Sequence, residues 1–421
     1  MIDTAALQVF GQCGGAKCGA RTAREEGLGE ESRAALFLLF MTAHGENAKI
    51  SIFAQNLMNL ITETFNLFFK NKRTDHTKTY IFACQHILRP REVMFSLLVE
   101  FGIPQENIFI LGKAYSTNYK LLKELMENKF NVHQPPFDNH RSFDEQHREN
   151  CKQLFNLCIE KVTNKSRVIV LDDGAMLLSL FNNRFEKISK EIDVLGIEQT
   201  SSGFRKLENE KLNFPIINVA RSVTKLGKES PFIAEICLRK LSEYFFGKEI
   251  GYKKYLILGL GPIGKSFIEL LQERGENVVG FDIVLGNEKL KEKIKTLKPN
   301  IIIGATGTAS ISKDDVEYLN SLGYPVYLVS ASSSDREFPA IAYRKRSEAN
   351  IHSDIRFNNI VFVNNGFPIN FEINRPKEGI RWIERTICLI LGSVLHLASI
   401  KKPSILKAGF IDVPKNITAI L

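Results

Sequence analysis

Between Tyr255 and Asp282 the chain reads YLILGLGPIGKSFIELLQERGENVVGFD: an apolar run, a glycine turn, an amphipathic stretch and a second apolar run. Few folds accept that order. Tyr255 to Leu258 predict a buried strand, and Phe267, Leu270 and Leu271 share one face of a following helix. Gly259, Gly261 and Gly264 between them form GxGxxG, with Pro262 and Ile263 inside the same turn. In such a unit the first glycine makes the turn, the second lets backbone approach a pyrophosphate, and the third brings helix against strand. The diphosphate then meets unpaired N–H groups at the helix N-terminus. Gly275 ends the helix, Val278 to Phe281 form a second strand, and Asp282 follows 18 residues after Gly264. A carboxylate there accepts hydrogen bonds from a ribose diol and repels a 2′-phosphate, so the expected cofactor is NAD rather than NADP.

The 421 residues and 44% hydrophobic content allow two globular domains with ordinary cores. A net charge of +9 arises from scattered basic residues, the densest being KNKR at 70–73 and YRKR at 343–346. Without interleaved stacking aromatics these read as solvated surface, and no nucleic-acid partner is expected. The apolar run Ala34 to Met41 is too short to span a bilayer and follows an acidic stretch, so neither a membrane segment nor a signal peptide is expected. Seven cysteines, an odd number, fit a reducing, cytoplasmic location. Cys13 and Cys18 are separated by four residues with no partner pair at zinc spacing downstream, and no metal is expected.

Residues 1–45, rich in Ala and Gly, read as an N-terminal extension, with Met41 as an alternative start. An amphipathic helix is expected from Ile50 to Lys70. Strands then alternate with helices: YIFAC at 80–84, a helix from Arg91 to Gly102, NIFILG at 107–112, a helix from Tyr119 to Asn128, VIVLDDG at 168–174 and EIDVLGIEQT at 191–200. Ligands of open parallel sheets bind outside the carboxyl ends of the strands. His86, Ser116, Thr117, Asp172, Asp173, Glu198, Gln199 and Thr200 all fall there. Ser230 and Pro231 suit an N-cap and a first helical position, which places Lys225 and Glu229 in the preceding loop as a hydroxyl-binding or proton-transferring pair. Strands at 300–307, 325–335 and 359–366 place Thr306, Ser330 and Asn370 to meet a nicotinamide or its ribose, and an apolar helix runs from Gly379 to Ile400. The expected fold class is α/β, two doubly wound domains: a substrate domain at 46–245, an NAD-binding Rossmann domain at 246–372, and a C-terminal helix and tail at 373–421 returning to the first domain.

CQH, KAYSTN, LDDG, EQTSSG, SVTK with Glu229, and GLGPIGKS, in this order from about Ile81 to about Phe371, resemble adenosylhomocysteinase, the NAD-dependent S-adenosylhomocysteine hydrolase family. The resemblance implies oxidation of a nucleoside 3′-hydroxyl, elimination across the acidified 4′ C–H, water addition and re-reduction in a closed cleft. It implies that His86 assists elimination and hydration, that Asp173 is an acid or base, and that Lys225 and Glu229 serve the ribose hydroxyls. Thr117 and Gln199 would bind substrate. Thr200, Gly259, Gly261, Pro262, Ile263, Gly264, Asp282, Thr306 and Asn370 would hold NAD. A nucleoside-type ligand and homo-oligomerisation are implied as well. Departures from the family pattern are Gln199 for glutamate, Glu229 and Asp282 for the family aspartate and glutamate, Ser230 for asparagine, Ser333 for histidine, a missing GHPSFVMSN segment, and a tail without the family's Lys and Tyr ending. They leave room for a noncatalytic NAD-binding relative, a nucleotide sensor or protein-interaction module, and for a simple hydroxyacid dehydrogenase.

Overall fold

The runs at 80–84 and 168–171 are apolar throughout rather than alternating, as strands covered on both faces must be. Both lie at the centre of a sheet. The computed structural model describes residues 60, 64–67, 75–248, 251–344, 350–371 and 380–419. Residues 59–421 make one compact unit. Its strands are β1 (Thr79–Gln85), β2 (Ile108–Gly112), β3 (Asn131–His133), β4 (Ser166–Asp172), β5 (Ile192–Glu198) and β6 (Pro215–Asn218), then β7 (Lys254–Leu258), β8 (Asn277–Phe281), β9 (Ile301–Gly304), β10 (Val326–Ser330), β11 (Ile355–Phe357), β12 (Ile360–Phe362) and β13 (Gly409–Ile411).

They form a seven-stranded sheet, β13-β6-β5-β4-β1-β2-β3, and a six-stranded sheet, β11-β12-β10-β9-β7-β8. Every pairing is parallel except that of β11 with β12. Both sheets are doubly wound, which is the α/β class the sequence implies. In the first, the chain steps outward from β1 to β3 and then restarts at β4 on the other side of β1; in the second, it restarts at β9 beside β7. Each sheet therefore has a switch point where crevices open beyond the strand ends, between β1 and β4 and between β7 and β9.

The longer helices are α1 (Arg89–Glu100), α2 (Tyr119–Glu127), α3 (Phe143–Lys161), α4 (Met176–Asn183), α5 (Ser201–Leu207), α6 (Val223–Phe245), α7 (Pro262–Glu273), α8 (Asn287–Leu297), α9 (Lys313–Ser321) and α10 (Ile380–Ser399). Phe82, Cys84 and Val170 on one face of the first sheet pack with Cys151, Leu154 and Phe155 of α3. The apolar α10 lies on β4 and β5, against α1 and α6. The second sheet is covered on one face by Phe267 and Leu271 of α7 with Cys237 and Leu241 of α6, and on the other by Leu290, Ile294 and Leu319 of α8 and α9.

Two expectations are corrected. The helix expected to begin at Pro231 begins eight residues earlier, because Ser222 caps α6, accepting from the Lys225 N–H at 3.4 Å, and Pro231 sits within it. The rule that proline opens helices lost to a stronger local signal, a serine cap followed by an unbroken amphipathic face, with one backbone hydrogen bond forgone at Pro231. Arg344 of the YRKR cluster is not solvated surface. Its guanidinium pairs with Asp335 at 2.7 Å in a nearly solvent-free setting and lies over the Phe137 and Phe367 rings. The N-terminal extension, Cys13, Cys18, KNKR and most of the helix expected at 50–70 lie outside the described residues.

Candidate functional site

At the first switch point, β1 delivers His86 just beyond its last residue and β4 delivers Asp173 just beyond its own. The His86 Nε2 stands 3.2 Å from the Asp173 carboxylate, and its Nδ1 makes a short hydrogen bond with the Ser116 hydroxyl. Lys113, following β2, sends its ammonium to the same Asp173 carboxylate and, at 2.6 Å, to the Asp173 carbonyl. Gln199, following β5, donates its amide to the second Asp173 oxygen and accepts from Gln85 at 3.2 Å. Four strand ends thus converge on one buried carboxylate.

Burial alone would favour a neutral Asp173, but Lys113 and His86 outweigh it and hold the carboxyl well below its usual range. Reciprocally, burial opposes the charge on Lys113, yet Asp173 raises its pKa. His86 is shifted downward, burial outweighing the pull of Asp173, so its imidazole is neutral near pH 7. With Nε2–H donating to Asp173, Nδ1 is left to accept from Ser116. Arg91 is buried nearby with Nη1 lacking a partner; burial brings it down to about 10, opposed by Asp173 and Glu229, and it remains charged at neutral pH.

The Lys225 ammonium meets Glu229 at 3.1 Å, one turn along α6 and not in a loop. The Thr117 hydroxyl is engaged by the Lys113 carbonyl at 2.8 Å and by Gln134 at 2.7 Å; Ser116 is the one that reaches His86. Thr200 caps α5, donates to Glu198 at 2.6 Å and accepts from the Gly203 N–H at 3.0 Å. A side chain at Gly203 would strike the Glu198 carboxylate. Glu198 is pushed up to about 8, by burial first and the nearby Asp172 second, and its Oε2 has no partner.

At the second switch point Gly259 turns with φ 95°, and a Cβ on Gly264 would come within 1.8 Å of the Gly259 carbonyl oxygen. Gly261, by contrast, has no atom within 4 Å of where its Cβ would lie. The first and third glycines are required by the protein's own packing, whereas the second leaves open the space through which a pyrophosphate approaches. Asp282 follows β8 and accepts from the Val284 N–H at 3.2 Å. The Thr306 hydroxyl donates to Glu337 at 2.8 Å, and Glu337 also receives the Thr306 and Gly307 N–H groups at 3.0 Å each. The Ser330 hydroxyl and the Asn370 amide oxygen are shielded from solvent and have no partner. Open space at the second glycine and two unpaired polar atoms, one at the end of β10 and one beyond β12, fit a dinucleotide.

The first rim faces a cleft lined by Lys113, Asp173 and Gly174 on one side and, on the other, by Ser333, Ser334 and Arg336 from the loop that follows β10. Asp335 accepts from the Phe143 N–H at 3.2 Å at the start of α3, and Arg336 pairs with Asp144 at 2.8 Å. Phe371 lies on the His86 ring with centroids 4.4 Å apart, and Phe367 stacks on Tyr115 at 5.1 Å. Sequence reasoning overlooked Lys113, Arg91 and Glu337. Lys113 carried a usable signal, a lysine directly after a wholly apolar strand; Arg91 and Glu337 carried none.

These features define a Rossmann-type α/β protein with a polar site at each switch point. No family profile matches the chain. An uncharacterized protein of Mycobacterium tuberculosis, found in two strains, is 32% identical over 330 residues, covering 75% of this chain and 63% of the relative. The chain therefore spans less than two thirds of that relative. The adenosylhomocysteinase of Acinetobacter baylyi is 24% identical over 133 residues, 30% of this chain and 28% of that enzyme. Among solved structures, the dipicolinate synthase A chain of Bacillus subtilis aligns over 79% of this chain and 100% of its own at 10% identity and a TM-score of 0.35. D-2-hydroxyisocaproate dehydrogenase aligns over 63% of this chain and 73% of its own at 10% identity and a TM-score of 0.26.

Proposed function

We propose that this chain is an NAD-dependent enzyme of adenosylhomocysteinase type, acting on S-adenosylhomocysteine or a related nucleoside by 3′-hydroxyl oxidation, elimination, hydration and re-reduction. The observation that carries the reading is the contact of Phe371 with His86, which brings the segment following β12, the one that holds Asn370, against the strand end that carries His86. In this reading 46–245 binds substrate and 246–372 binds cofactor. NAD, when bound, supplies the hydride acceptor.

The chain's own residues supply positioning and proton management. Lys225, charge-balanced by Glu229, hydrogen-bonds the ribose hydroxyls and lowers the cost of releasing a hydroxyl proton. Neutral His86, its Nε2–H held by Asp173, takes and returns protons at Nδ1 by way of the Ser116 hydroxyl during elimination and hydration. Asp173 stays ionised under the Lys113 ammonium and acts by orienting His86, not by giving up a proton. Thr117 and Gln199 shape the substrate side. Gly259, Gly261, Pro262, Ile263 and Gly264 form the diphosphate turn, Asp282 receives the adenosine ribose, and Thr200, Thr306 and Asn370 complete the cofactor wall. Cytoplasmic residence and homo-oligomerisation belong to the same proposal. Among the described residues no helix is long and apolar enough to cross a membrane.

A second reading has its own support. Gln199 stands in place of the family glutamate and satisfies Asp173, while Phe371 and Phe367 fill space between the rims. A noncatalytic NAD-binding relative would look the same. The two part on one experiment: absorbance of purified holoprotein in the reduced-nicotinamide band as adenosine, S-adenosylhomocysteine and other nucleosides are added. Reduction by one of them supports the enzyme, and its loss in Lys225→Ala with NAD retained supports the role of Lys225. Bound NAD that no nucleoside reduces favours the sensor.

A further inference from the structure

Beneath the first sheet, bordering the cleft that Lys113 and Asp173 line, two cysteines and a histidine meet. Cys84 projects from β1 towards α3, while His147 and Cys151 lie four residues apart on one face of α3. The Cys84 and Cys151 sulfurs are 3.6 Å apart, and Cys151 Sγ is 3.7 Å from His147 Nε2. One donor atom from each residue can be chosen so that all three lie within 4.8 Å of one another. Two thiolates held about 2.3 Å from a tetrahedral zinc ion stand roughly 3.8 Å apart, and a thiolate and an imidazole nitrogen roughly 3.6 Å. The two measured separations match these edges. A disulfide does not fit as the chain stands, since sulfurs so bonded are about 2.05 Å apart.

The surroundings suit a cation. Both cysteines are fully buried, and His147 is nearly so, but His147 lines the cleft and gives an ion a way in. Two thiolates neutralise a divalent ion, so the occupied site carries no net charge into the core. Asp172 is near enough to act on Cys84, Cys151 and His147 electrostatically, yet its carboxylate is engaged by the N–H groups of Asp173, Leu177 and Leu178 at 2.7 to 2.8 Å. It is a neighbouring charge and not a fourth ligand. Three protein ligands with a fourth position on the solvent side is a coordination zinc accepts.

We infer that Cys84, His147 and Cys151 form a binding site for one zinc ion beneath the strand that carries His86, with water from the cleft as fourth ligand. On binding, both thiols give up their protons to solvent, and two Zn–S bonds and one Zn–N bond form without oxidation or reduction. The ligands are split between a strand and a helix and have no paired-cysteine spacing, so pattern matching for zinc motifs passes over them.

The test uses the full chain, stripped with chelator and titrated with Co²⁺ and then Zn²⁺. The expected result is one equivalent of Co²⁺ with a thiolate-to-cobalt charge-transfer band and intense visible d–d bands, all displaced by Zn²⁺. Cys151→Ser and His147→Gln should each weaken binding at least about 100-fold, more than loss of most outer-shell partners. Cys158→Ser, one buried cysteine further along α3, and the double variant Cys13→Ser, Cys18→Ser should bind as the parent does. If the ligand variants do not fold, anomalous scattering at the zinc edge from the unaltered protein locates the ion. Absence of uptake, an ion located elsewhere, binding undiminished in folded ligand variants, or a Cys84–Cys151 disulfide forming in place of metal binding would each overturn the site.

Discussion

The two switch points are built from the same topology and end in opposite electrostatic conditions. Beyond β1 and β4 the central carboxylate is satisfied by its neighbours, Asp173 being held by Lys113, His86 and Gln199, while Arg91 Nη1 and Glu198 Oε2 at the same rim have no partner. Beyond β7 and β9, Glu337 satisfies the Thr306 loop, but the Gly261 side of the turn is open and the Ser330 and Asn370 oxygens have no partner. A carboxylate already paired in this way is preorganised and stores its cost in the fold. A rim with open backbone and unpaired oxygens depends on something bound to complete it. The comparison separates residues that should matter for stability from those that should matter for ligand.

The sharpest way to break it is Lys113→Met. That change leaves the Asp173 carboxylate buried against a neutral side chain, and destabilisation of about 3–5 kcal/mol is expected in denaturant titration. A loss near zero would mean that water reaches Asp173 and the first rim is not self-contained. The two glycines of the second rim come next. Gly264→Ala collides with the Gly259 carbonyl and should cost about 1–3 kcal/mol, whereas Gly261→Ala should leave the unfolding midpoint almost unchanged while NAD no longer copurifies. Equal effects from both would remove the distinction between packing glycine and ligand glycine.

A subtler handle is Glu198. Its folded pKa of about 8 lies above its ordinary 4.5, so the folded protein holds that proton more tightly than the unfolded chain does. Its contribution is complete below about pH 4.5 and is lost as pH rises through about 8. Denaturation midpoints compared at about pH 5 and about pH 9 should show this fall, and Glu198→Gln should flatten it. The smallest effect is expected between the rims. Arg336 and Asp144 are both partly exposed, and Arg336→Ala should change stability by no more than about 1 kcal/mol.

Much of this was legible in sequence because it is local. The glycine turn, the wholly apolar strands and the helix that follows each are short-range patterns, and the strand ends that carry His86, Asp173, Gln199 and Thr200 could be read from them. The start of α6 was misread because two local signals competed, Ser222 as a cap and Pro231 as a helix opener, and propensity alone does not rank them. The pairing of Lys113 with Asp173 joins residues 60 apart, and the link from Thr306 to Glu337 joins residues 31 apart. No periodicity reports such pairs.

What the amino-acid sequence determined by itself is therefore most of the inner strands, the glycine turn and the kind of residue standing at those strand ends, since backbone preference and hydrophobic period act over a few residues; α3, which carries His147 and Cys151, was not read from it. Only the tertiary structure decided which of those end residues neutralise one another, which oxygens stay unpaired, and that Cys84 meets His147 and Cys151. Charge pairing and desolvation act through space, between segments whose proximity is set by the order in which the sheet assembles its strands.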